Sequence, residues 1–251
     1  MGIVLNEKEL ALEALRNCDL GSNGFDTIGY LAKYYKSEGY RKKEIKDIIE
    51  TFITKCISPN DAIKWGAAID IQVNRAEKYK MVEIDYIPVT KNEMTLCESL
   101  QGKQAQRLLF ALICVAKFSN AVNEKNNNWV NRQDKEIFRI ANVVTPIRRQ
   151  AIMLCDLRDA GFIRFSKKVD NININVLCLD KDDSDVVLKI SDFRNLGYQY
   201  MRYHGEPYFE CGSCGIVVKK GSNVQKYCHE CAVDMNRQNN RENYRNMVRA
   251  Q

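Results

Sequence analysis

Four cysteines in two pairs carry the clearest chemistry in the chain. They read Cys211-Gly-Ser-Cys214, then thirteen residues, then Cys228-His-Glu-Cys231. Two CxxC pairs at this separation suit one tetrahedral zinc ion. Two thiolates three residues apart wrap one side of such an ion. Residues 215–227 can form a short hairpin that returns the chain to the other side. Gly215 and Gly221 supply the turns, and Ile216, Val217 and Val218 suit a strand between them. Four thiolates leave no open coordination position, so the expected role is structural and not catalytic. Disulfides would need an oxidising compartment, and no secretory signal opens the chain. A redox CxxC would need a thioredoxin-like βαβ context, which neither pair has. His229 sits between the last two cysteines and is expected to stay a solvated bystander.

A second chemistry follows the cysteines. Arg237, Arg241, Arg245 and Arg249 recur every four residues in the tail 236–251. On a helix they form one slowly drifting guanidinium face. Three readings stay open: an arm that tracks phosphates, a solvated terminal helix, and a partner-binding helix.

The net charge of +6 is unevenly placed. Residues 1–100 carry a net −2, residues 101–180 a net +6, residues 181–200 a net −1, and residues 201–251 a net +3. The basic excess in the middle and the tail points to a polyanion partner. It also gives the N-terminal part a different role. No run approaches the about 20 apolar residues that span a bilayer, so no membrane is expected and the expected location is the cytoplasm. The other six cysteines are scattered, and most sit in apolar contexts as buried thiols.

The elements that position these groups are mostly helical. Apolar periodicity predicts helices over 7–18, 25–36, 42–53 and 60–79, packed on one another. Residues 81–87 alternate weakly as a strand that Pro88 ends. Thr90 with Glu93 forms a capping box for a helix over 91–100. Residues 104–118 form a strongly apolar helix. A short strand at Trp129 and Val130 and a helix over 134–141 follow. Thr145 as N-cap with Pro146 at the first helical position opens the next helix, which Gly161 ends. Strands are expected over 162–166 and 172–178, with Ile172, Ile174, Val176 and Cys178 inward and Asn171, Asn173 and Asn175 outward.

This order of helix, strand, helix, helix and hairpin resembles the winged helix-turn-helix superfamily over residues 103–178, down to the spacing of Leu154, Leu157, Gly161 and Ile163. The resemblance implies a third helix that enters the major groove and a wing that touches the backbone. The exposed front of that helix would then be Arg148, Arg149, Gln150 and Met153, and the wing would offer Arg164, Lys167 and Lys168. Arginine suits guanine edges and lysine suits phosphate. Winged helices also serve as protein-docking modules; the positive excess of this region favours nucleic acid.

Residues 180–185, DKDDSD, are expected as a solvated turn, with a cation site as the alternative. A strand is expected over 186–190 and a helix over 192–203. From residue 193 to residue 245 the chain resembles uncharacterised proteins of phages and integrated mobile elements of low-GC Gram-positive bacteria. The shared stretches are FRNLGYQY, the pair after GEPYFE, QKYC-x-x-C and the Asn/Arg-rich tail. That resemblance implies a genetic context and no activity. Two histidines, no Walker-type loop, no paired metal carboxylates and no nucleophile elbow argue against an enzyme.

The expected fold is mainly α with small β elements (α+β). It divides into a helical domain over 1–90, a winged-helix-like domain over 91–203, a four-cysteine zinc ribbon over 204–235 and a basic helical tail over 236–251. The expected function is DNA binding in replication initiation or transcriptional regulation of a phage or mobile element. The N-terminal helices would hold a host or replication protein, or a dimer mate. The alternative is a protein-binding inhibitor or adaptor that blocks a host complex.

Overall fold

The computed structural model describes residues 2–21, 23–167, 173–182 and 184–249, excluding the side chains of 59–60, 243–244 and 246–249. The chain divides into two compact units, residues 1–85 and 86–251. It is a mixed α/β protein, mainly helical, with small antiparallel sheets.

The first unit is helical: α1 (Glu7–Asn17), α2 (Gly24–Ser37), α3 (Lys42–Cys56), α4 (Pro59–Ala62) and α5 (Gly66–Ala76). The periodic apolar positions become its core, with Ile28, Leu31, Ile45, Ile49, Ile53, Ile69 and Val73 at 2% exposure or less. The single helix expected over 60–79 is instead broken by a 3-10 turn at Ile63–Trp65. Among the described residues of this unit, Glu7 is the acid drawn inside. Its carboxylate accepts from Lys33 Nζ at 2.6 and 2.8 Å and from the Val82 amide at 2.8 Å. A buried carboxylate persists only with its charge paired and its oxygens hydrogen-bonded.

The second unit runs β1 (Ile87–Thr90), α6 (Lys91–Glu98), α7 (Lys103–Val122), β2 (Trp129–Val130), α8 (Asp134–Ile140), α9 (Ile147–Asp159), β3 (Ile163–Phe165), β4 (Ile174–Val176), β5 (Val186–Ile190), α10 (Leu196–Tyr203), β6 (Tyr208–Glu210), β7 (Val217–Lys219) and α11 (His229–Arg249). Its axis is α7, whose residues 108–116 are all buried. That helix has the 20 residues and apolarity to cross a membrane (mean hydropathy 1.3), which counting uninterrupted apolar runs passed over. Half of that stretch is buried inside the unit. Among the described residues the sheets are β1–β5, β2–β4–β3 and β6–β7, all antiparallel.

The structure corrects three further expectations. The strand near Pro88 lies over 87–90 and contains the proline. With a partner on one side only, a residue without an N–H is tolerated. Its partner is β5, residues 186–190. Helix α9 starts one residue late, because Pro146 keeps an extended ψ of 150° and is itself the N-cap. Asn175 does not face outward. It is 3% exposed in the middle strand of its sheet, where its amide donates to the Asn127 carbonyl at 2.6 Å. Residues 171 and 172 lie outside the described residues.

The capping box at the start of α6 became the polar centre of the unit. Glu93 is fully buried and accepts from Lys117 Nζ at 2.9 Å, from the Thr90 amide at 3.0 Å and from the Asp180 amide at 3.2 Å. Lys117 also donates to the Pro88 carbonyl at 2.9 Å. Asp180 accepts from the Thr90 hydroxyl and from Asn92 Nδ2, so it closes the start of α6.

Candidate metal centre and nucleic-acid interface

The β6–β7 hairpin carries Cys211 just past its first strand. The Cys211 amide donates to the Ile216 carbonyl at 2.9 Å, and the Gly215 amide to the Cys211 carbonyl at 3.0 Å. Gly215 sits at φ +73°, a conformation that a side chain would strain. The second pair lies where α11 begins, with Cys231 in its first turn. The four sulfurs lie within 4.8 Å of one another, with Cys214 and Cys228 Sγ 3.8 Å apart. A tetrahedral ion with metal–sulfur bonds of about 2.3 Å sets its ligands about 3.8 Å apart. The set can therefore hold one metal ion. His229 lies outside it and is exposed.

Backbone N–H groups are already aimed at the sulfurs. The Cys228 amide donates to Cys211 Sγ at 3.2 Å, and the Cys231 amide to Cys228 Sγ at 3.5 Å. Burial pushes the Cys211 thiol up, but the backbone amides of Cys214, Cys228 and Ser213 outweigh it and bring the thiol down to about 6. Burial pushes the Cys214 thiol up, and although the Ser213 hydroxyl pulls Cys231 down, the Cys228 and Cys214 sulfurs outweigh it and hold Cys231 up at about 12. A metal takes its cysteine ligands as thiolates, so binding would release these protons.

The segment 192–198 bolts this element to the rest of the unit. Arg194 Nη2 donates to the Cys214 carbonyl at 2.6 Å, and Asn195 Nδ2 to the Val217 carbonyl at 3.1 Å. Asn195 Oδ1 in turn accepts from Asn142 Nδ2 at 2.9 Å. Asn142 is two residues past α8, in the loop that leads into α9. Gly197 permits the approach, since a Cβ there would lie 1.9 Å from the Ala141 carbonyl oxygen. Sequence reasoning missed this link, because Asn142 and Asn195 are 53 residues apart.

Helix α9 has two different faces. Met153, Leu154 and Leu157 are buried, while Arg148 and Arg149 are exposed. Met153 was expected at the front and is corrected to the core. Gln150 is half-buried, and its amide donates back to the Thr145 carbonyl at 3.0 Å. One of its two amide hydrogens is thereby used locally. Two apolar side chains that sequence reasoning missed stand beside the arginines: Val144 at 92% exposure and Ile147 at 83%. Periodicity alone assigns such residues to the core.

The hairpin after α9 presents Lys167 to solvent. Lys168 lies outside the described residues. Arg164 is exposed, yet its Nε donates to Asn175 Oδ1 at 3.0 Å and its guanidinium lies over the Trp129 ring at 5.8 Å. It braces the sheet. In α11, Arg237, Arg241 and Arg245 are exposed, with Arg237 3.5 Å from Asp234; the Arg249 side chain lies outside the described ones. Of the DKDDSD run, Asp182 accepts from the Ser184 hydroxyl at 2.9 Å, and the four-cysteine set is the one metal cluster among the described residues. The chain matches no protein-family model, no curated protein and no solved structure.

Proposed function

We propose that this chain is a duplex-DNA-binding protein of a phage or other mobile element, acting in replication initiation or transcriptional regulation. In this reading residues 103–178 are a winged helix-turn-helix with α9 as its recognition helix. Cys211, Cys214, Cys228 and Cys231 hold one structural zinc in a ribbon, and the arginines of α11 add backbone contacts. One observation carries the reading: α9 buries Leu154 and Leu157 and turns Arg148 and Arg149 to solvent. The order of α7, β2, α8, α9, β3 and β4, with β4 central in its sheet, supports it. So does the net +6 over residues 101–180.

The exposure of Val144 and Ile147 favours a second reading, in which the same helix docks a protein and the chain acts as an inhibitor or adaptor. The double variant Arg148→Ala/Arg149→Ala separates the two. Exposed substitutions of this kind change stability by about 0.5 kcal/mol or less, so the melting temperature should hold. Duplex affinity should fall about tenfold or more, and a lost base contact should relax preference at one position by about 1–3 kcal/mol. Unchanged duplex affinity in this variant would assign α9 to a protein partner.

A further inference from the structure

Two thiols in the first unit have found each other. Cys18 Sγ and Cys56 Sγ lie 2.8 Å apart. Cys18 is the C-cap of α1 and Cys56 is the last residue of α3. The cap adopts a left-handed backbone, φ 48° and ψ 50°, a position where glycine is the usual residue. Here the position keeps a side chain, and that side chain meets Cys56. Cys18 is exposed, so a solute reaches it; Cys56 is half-buried beside it. Cys97 and Cys114 are fully buried, and burial holds both thiols well above the usual range.

We propose that Cys18 and Cys56 are a modification site, a pair that closes to an intramolecular disulfide when it meets a small-molecule disulfide of the glutathione class. The exposed Cys18, as thiolate, attacks one sulfur of the oxidant, forming a mixed disulfide and releasing one small thiol. Cys56 then gives up its proton to water and attacks Cys18 Sγ, and the second small thiol leaves and takes up a proton. Two protein thiols are oxidised, one small disulfide is reduced, and the electrons balance. Burial, with the Cys18 thiol beside it, pushes the Cys56 thiol up to about 12, which leaves the first attack to the exposed Cys18; the share of that rise due to the Cys18 thiol is gone once Cys18 is held in the mixed disulfide. The bond would tie the ends of α1 and α3 and close a loop that contains all of α2.

The test uses the full-length, zinc-loaded chain equilibrated with excess oxidised glutathione and then blocked with N-ethylmaleimide. Trypsin should release the peptides 17–33 and 56–64, each with one cysteine, as a single linked species two hydrogens lighter than their sum. Dithiothreitol should separate them. Closing a loop of this size constrains the unfolded chain, so oxidation should raise the melting temperature of the first unit by about 20 °C. The variants Cys18→Ser and Cys56→Ser should each lose that rise while melting as the reduced protein does. Two maleimide-blocked thiols after the treatment would overturn the proposal. So would a Cys18 that stops at the glutathione adduct.

Discussion

Removing the metal should unfold residues 208–231 and leave the first unit intact. Protein purified without chelator should contain one zinc per chain by elemental analysis. Replacing Cys228 with Ser should release it. The expected effect is large because binding and local folding are one process, worth about 10–16 kcal/mol in small zinc modules at neutral pH. The size of the element is the reason for so large an expected effect. The β6–β7 hairpin has three residues per strand, too few to stand alone in water. Two of its contacts to the rest of the unit, from Arg194 and Asn195, end on carbonyls of the four-cysteine element. Amide exchange across residues 208–231 should become fast in the variant, and amides of α3 should keep their protection. Slow exchange across the hairpin in zinc-free protein would mean that the element folds without metal.

Glu93→Ala should be the most damaging single change in the second unit outside the cysteines. It would remove the buried carboxylate that lies 2.9 Å from Lys117 Nζ, a side chain itself only 10% exposed. Breaking a buried pair in this way costs about 3–5 kcal/mol. Two backbone amides, of Thr90 and Asp180, would also lose their acceptor. Replacing both partners, Glu93→Leu with Lys117→Met, should recover much of the loss, since the desolvated charges disappear together. Trp129 fluorescence in a Trp65→Phe background would follow the unit through urea unfolding. A single Glu93→Ala change within about 1 kcal/mol of the parent, where ordinary surface changes fall, would contradict the assignment.

How much of this was legible in the sequence depends on how local each feature is. The four cysteines could be read because a metal fixes the spacing of its ligands along the chain. The first three helices of the first unit could be read because their apolar spacing repeats within each element. The start of α9 was misplaced by one residue because Thr145 and Pro146 are both good opening residues, and only the extended ψ of Pro146 decides between them. The β1–β5 pairing joins residues about a hundred positions apart, and nothing near Pro88 announces it. Asn175 obeys the alternation of its strand and is still buried, because Asn127 and Arg164 close over it. Glu93 could be read as a capping residue, and it is one. Its ion pair with Lys117 comes from the packing of α6 on α7.

Binding of duplex DNA through the basic surfaces, the central claim, is tested most directly by its salt dependence. The zinc-loaded chain would be titrated onto a labelled random duplex at salt concentrations from low to above physiological. The exposed Arg148, Arg149 and Lys167, with Arg237, Arg241 and Arg245 in α11, offer several cations for phosphate or base contact. The expected result is that log K falls linearly with log salt, at about −0.9 for each phosphate contact and about −3 to −5 in all. Truncation before residue 236 should make that slope shallower and leave sequence preference unchanged. A chain that fails to bind any duplex at low salt, or binds with a slope near zero, would contradict the claim and leave the protein-docking reading in its place.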